Sequence, residues 1–82
     1  MRQERIAALG LPKAIQRPVD DLMRALNTAR TREGLEREGA MEVSFIFGLE
    51  TAKRLRPADV ESLYIIFDDA VQRSLCELSG RA

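Results

Sequence analysis

The sequence predicts an all-α fold, and three observations support this prediction. Apolar residues recur with helical spacing along most of the chain, and residues 57–78 form the longest such stretch. Gly10, Pro18 and Pro57 stand where helices are expected to begin or end. The run 43–47 could be a strand, but no second strand is available to pair with it. With 82 residues, 45% of them hydrophobic and 32% charged, we predict one helical domain over residues 1–82.

Residues 2–9 are predicted to form a short N-terminal helix that ends at Gly10, and the segment up to residue 17 to form a connector. Pro18 suits the first turn of the next helix, because its missing N–H is not needed there. Two aspartates follow in that turn, where the helix dipole favours anions. The first long helix is therefore predicted over about residues 18–30.

Residues 31–39 carry two glycines and many charges, so we predict a charged loop, or a frayed polar extension of the first long helix to Glu38. The second long helix is predicted over about residues 40–55. Its expected apolar stripe consists of Met41, Phe45, Gly48, Leu49, Ala52 and Leu55.

Pro57 ends the second long helix and begins the third, which is predicted to extend to about Leu78. Ile65 and Ile66 are expected to lie off its main apolar stripe. The turn between these two helices is very short, so residues 40–78 are predicted to form an antiparallel helical hairpin.

Five consecutive apolar residues, 63–67, surround the axis of the third long helix. This is more apolar surface than one partner helix can cover, so we predict that two hairpins pack into a homodimer with a four-helix-type core. A monomer with a groove for a partner, and a simple monomer, are the alternatives. The predicted dimer interface consists of Phe45, Phe47, Leu63, Ile65, Ile66 and Phe67.

The sequence offers little for catalysis or metal binding. There is no histidine and only one cysteine, which excludes zinc sites with nitrogen and sulfur ligands and the common nucleophilic triads. Glu33 and Glu36 form an ExxE pair, but the second acidic pair of a magnesium site is missing. We therefore predict no catalytic residues, no metal and no cofactor.

Nucleic acid is an unexpected partner, because thirteen basic and thirteen acidic residues cancel. Residues 51–60 resemble the first helix and turn of a helix-turn-helix motif. The helix that would enter the groove of DNA nevertheless carries Asp59, Glu61, Asp68 and Asp69, which phosphates repel. A dimeric DNA-binding transcription regulator with a degenerate motif is therefore the alternative function.

The favoured function is a small non-enzymatic interaction module, such as an adaptor, regulator or inhibitor, that acts as a homodimer and binds an unidentified protein. Arginine suits protein interfaces because its guanidinium pairs with carboxylates through two hydrogen bonds. The predicted partner-binding residues are Arg17, Arg24, Arg30 and Arg32. No segment is apolar enough for a signal peptide or a membrane span, and the lone Cys76 fits a reducing compartment, so we expect a cytoplasmic protein.

Overall fold

The computed structural model describes the backbone of residues 2–80 and the side chains of residues 5–80. This part of the chain is all-helical and contains no strand, which confirms the predicted fold class. Met1, Arg81 and Ala82, which the single-domain prediction includes, lie outside the described residues. The four helices are α1 (Arg2–Ala7), α2 (Lys13–Thr28), α3 (Arg32–Thr51) and α4 (Pro57–Gly80).

Helix α2 begins at Lys13, so the predicted start at Pro18 is wrong. The backbone N–H groups of Ile15 and Gln16 donate to the carbonyl of Pro12 at 2.9 and 2.8 Å and close the first turn. Pro18 lies inside the helix. It cannot donate to the carbonyl of Ala14, but Ala14 is exposed, so water can satisfy that carbonyl. A proline one turn inside a helix is thus tolerated here.

Helix α3 spans Arg32–Thr51, so the loop or extension of the first long helix predicted over residues 31–39 is wrong, and so are the bounds 40–55 predicted for the second long helix. Thr31 caps the helix, because its hydroxyl oxygen accepts the backbone N–H of Gly34 at 3.0 Å. Two ion pairs span the first turns, Arg32 Nε to Glu36 Oε2 at 3.4 Å and Arg37 Nη2 to Glu33 Oε1 at 3.2 Å. The cap and the ion pairs offset the low helix propensity of the two glycines that suggested a loop.

Helix α4 contacts each of the other three helices, and its contact with α3 is the most extensive in the described chain. The core lies between the four helices, and the domain measures 41 × 23 × 18 Å. Its shortest dimension is less than two helix diameters, each about 10–12 Å with side chains. The buried apolar residues are Ile6, Leu11, Val19, Met23, Leu26, Leu35, Ile46, Val60, Leu63, Ile66, Phe67 and Ala70.

The apolar run on α4 is largely covered by the chain's own helices. Leu63, Ile66 and Phe67 are buried, Tyr64 is half-buried, and only Ile65 is half-exposed. The placement of Ile66 off the apolar stripe is therefore wrong. The physical reason is that α1 and α2 pack on α4 in addition to α3, so α4 has apolar neighbours on more than one side.

An exposed ion pair also joins the first helix to the last, since Arg5 Nη1 lies 3.2 Å from Asp69 Oδ2. Such a pair contributes at most about 1 kcal/mol, so apolar contacts dominate this junction. None of the helices within residues 2–80 combines the length and the apolar character needed to cross a membrane.

Candidate functional site

A groove of about 460 Å³ runs between α3 and α4. Its walls are mainly apolar, and three acidic side chains, Glu36, Glu42 and Asp68, also line it. A concave, mostly apolar surface with a few polar groups is typical of a binding site. The lining residues are Glu36, Gly39, Glu42, Val43, Ile46, Tyr64, Phe67, Asp68 and Val71.

Glu42 is the unusual member of this lining. It lies with Leu35 and Ile46 on the buried face of α3, and its side chain has no solvent exposure. Both carboxyl oxygens, Oε1 and Oε2, lack a hydrogen-bond partner among the described residues. Burial, and secondly the charge of Glu38, raises the pKa of Glu42 to about 8. Buried polar groups almost always have partners, so this carboxyl group calls for an explanation.

The sequence pattern did not reveal Glu42 because it placed the buried face of α3 on the wrong side. The predicted stripe contained Met41, which is 49% exposed. The observed face, Leu35–Glu42–Ile46, is turned from that stripe by roughly a quarter of a rotation. Apolar residues occur on nearly all sides of the helix over residues 41–49. A buried glutamate interrupts the apolar spacing by which a buried face is recognised. An acidic residue at helical spacing from Leu35 and Ile46 was the only available signal.

The six predicted interface residues fall into two groups. Leu63, Ile66 and Phe67 are buried in the core, and Phe45 packs partly against it. Phe47 and Ile65 are 61% and 50% exposed. The homodimer itself stays a prediction, but the buried side chains are already covered within one chain.

The two exposed interface candidates do not lie together. Phe47 follows Val43, which lines the groove and is 54% exposed, by one turn on the same face of α3. Ile65 lies instead beside α1, where it lines a separate shallow depression with Arg5 and Leu9. Of the six predicted residues, Phe47 is therefore the one that is both exposed and next to the groove.

The four predicted partner-binding arginines do not form one cluster. Arg17 and Arg24 line a shallow charged depression along α2, where Arg24 Nη1 lies 2.9 Å from Asp21 Oδ1. Arg30 lies between α2 and α3 and faces the C-terminal end of α4. Arg32 opens α3 and pairs with Glu36. Their role in partner binding stays a prediction.

No group of three or more His, Cys, Asp or Glu side chains in the described chain is arranged to hold a metal ion. The ExxE pair is engaged elsewhere, because Glu33 and Glu36 form ion pairs with Arg37 and Arg32. Cys76 is exposed. The predicted lack of catalytic residues and cofactors is not tested by these observations.

Comparison with protein-family models, with curated proteins and with solved structures found no match.

Proposed function

We propose that this protein is a non-enzymatic interaction module that self-associates through α3 and α4, which act as an antiparallel helical hairpin. The observation that carries the proposal is the exposure of two large apolar side chains on one face of α3, Val43 and Phe47. An interface would remove each side chain from water. Full burial of such a side chain contributes about 1.5–3 kcal/mol of stabilising free energy.

A second copy of this chain fits this surface because a protrusion and a depression lie side by side. Phe47 projects from α3, and the groove lined by Val43, Tyr64 and Val71 begins one turn away. A two-fold axis between these features would place Phe47 of each copy against the groove of the other. Interfaces of this kind are self-complementary, which is the usual arrangement of homodimers.

Light scattering tests the proposal. The wild-type protein at micromolar concentration is expected to have about twice the 9.2 kDa mass of one chain. Phe47→Asp should give a monomer with a nearly unchanged melting temperature, because Phe47 is already exposed in one chain. Ile65→Asp is the matched control: it puts the same charge at a similarly exposed position beside α1 and should leave the dimer intact. A monomeric wild type, or a dimer lost only in Ile65→Asp, would refute this interface.

We propose that a heterologous partner binds the exposed arginines of α2 and the start of α3, which lie in three separate places. Two copies would present these arginines twice, which raises avidity for a repeated target. Changing Arg24, Arg30 and Arg32 together to Ala should leave the melting temperature within a few degrees, since all three are exposed. The same variant should lose a partner that wild type captures from its host. A reducing cytoplasm suits this role, because the exposed thiol of Cys76 would stay free there.

The DNA-binding alternative has a separate test and no structural feature in its favour. Along α4, Glu61 and Asp68 are exposed, and Asp59 pairs with Arg56 at 3.0 Å. Acids on the helix that would enter the major groove oppose binding. A gel shift at physiological salt that prefers one duplex over random sequence would promote this alternative.

A further inference from the structure

The groove between α3 and α4 contains a polar group that the described residues leave unsatisfied. Glu42 forms part of its lining, and both of its oxygens lack a hydrogen-bond partner. A carboxylate is complemented by a cation or by N–H and O–H donors. No lysine or arginine belongs to the lining. The described residues therefore supply neither a cation nor a hydrogen-bond partner to Glu42.

The surroundings define the chemistry of that complement. A metal ion is disfavoured, because divalent cations take six or more oxygen ligands or several nitrogen and sulfur ligands, and no such group lies here in the described chain. The walls formed by Val43, Ile46, Tyr64, Phe67 and Val71 favour an apolar body. Asp68 adds negative charge to the lining, and this attracts a cation, whereas the charge of Glu36 is paired with Arg32.

We propose that this groove is a binding site for a small organic cation, a primary ammonium on an aromatic or aliphatic body, and that Glu42 is its counter-ion. The volume of about 460 Å³ lies within the range of small-molecule sites, about 300–1,000 Å³. One chain builds the whole site, so the site exists without the proposed self-association. An occupied groove would exclude Phe47 of a second copy, so the ligand would also oppose the dimer.

Gly39 gives the ligand access to Glu42. The oxygens of Glu42 are covered in the free chain and burial raises the pKa of Glu42 to about 8, so the carboxyl group must turn toward the groove and release its proton to meet an ammonium. Gly39 lies three residues earlier on α3 and adds no side chain to the groove. A Cβ built there would lie 3.4 Å from Val71 Cγ2, which is close contact. A larger side chain at residue 39 would therefore occupy the space between α3 and α4 that the ligand needs.

Titration with phenethylammonium, followed by calorimetry and by backbone amide shifts in NMR spectra, tests the proposal. Saturable binding is expected, with shifts centred on Gly39, Val43 and Val71. 2-Phenylethanol lacks the charge and ethylammonium lacks the apolar body, so neither should saturate. Glu42→Gln should weaken phenethylammonium binding at least about tenfold, as expected for loss of a charged hydrogen bond. Glu50→Gln, an exposed change near the end of α3, is the charge-matched control and should bind like wild type.

A second variant keeps the test decisive if Glu42→Gln alters the fold. Gly39→Leu retains the carboxylate but fills the groove, and it should also lose binding. Equal binding of 2-phenylethanol, or full affinity in Glu42→Gln, would overturn the proposal. So would tight binding of a lysine-containing amphipathic peptide in place of phenethylammonium, since the cation would then come from a protein. Light scattering of the same samples reports self-association, and the same titration of Phe47→Asp tests binding without competition from Phe47 of a second copy, so either proposal can fail alone.

Discussion

Glu42 lies among apolar side chains on the inner face of α3, and its pKa is raised from the ordinary 4.5 to about 8. Burial is the main cause and Glu38 on the same helix the second. The other titratable groups around the groove are Glu36 on α3 and Tyr64 and Asp68 on α4. None of these groups is cationic, so none offsets the cost of ionising the buried carboxyl.

This pKa predicts how stability depends on pH. Between about pH 4.5 and 8 the folded chain keeps a proton on Glu42 that the unfolded chain releases. The free energy of unfolding should therefore fall by an amount on the order of a few kcal/mol as pH rises through this window. Above this window it should stay constant. Urea denaturation at pH 5, 6.5 and 8 measures the slope.

Glu42→Gln should remove this pH dependence. The variant is expected to be more stable than wild type at pH 8, because no charge has to be buried. Glu50→Gln should keep the wild-type slope, since Glu50 is exposed. Parallel slopes for wild type and Glu42→Gln would show that the carboxyl of Glu42 reaches water in solution.

At the scale of single elements, the start of α3 depends on Thr31. Thr31→Ala removes the hydroxyl that accepts the N–H of Gly34, and we expect a loss of about 1 kcal/mol in the free energy of unfolding. Thr28→Ala is the control, because the hydroxyl of Thr28 donates only to the carbonyl of Ala25 at the end of α2. If the two variants lose equal stability, the cap does not determine where α3 begins.

Sequence reasoning predicted the helical class and the long third helix but misplaced two helix starts. Both errors have local causes. Pro18 was interpreted as a first-turn residue, although one turn of helix precedes it. Gly34 and Gly39 were interpreted as loop residues, although Thr31 and Glu33 stand at the preferred cap and first-turn positions. Those two residues indicate a helix start, but the two glycines were given more weight in predicting a loop.

The candidate site was predictable only in part. Phe47 was identified as an apolar residue in excess, and it borders the groove. The groove itself depends on which sides of α3 and α4 meet, and an almost fully apolar circumference does not specify that. The burial of Glu42 could not be predicted from the apolar pattern, because that pattern assumes that unpaired acidic residues are exposed.

At the scale of the whole molecule, we predict that the short α1 is essential for the stability of the fold. Ile6 is fully buried, and α1 contacts both α2 and α4. Ile6→Ala should cost about 2–5 kcal/mol, as for other large-to-small changes in a core. Ile65→Ala, at a half-exposed position of the same junction, should cost far less. Urea denaturation of both variants compares them, and a loss below about 1 kcal/mol for Ile6→Ala would mean that α1 is detached in solution.

The contact of α4 with every other helix also determines when this protein can fold during its synthesis. The ribosome makes α1, α2 and α3 before α4, and at about 5–20 residues per second the 24 residues of α4 take roughly one to five seconds to add. During that interval the apolar faces that will meet α4 are uncovered. The chain therefore cannot complete its core until α4 is available to pack on the other three helices.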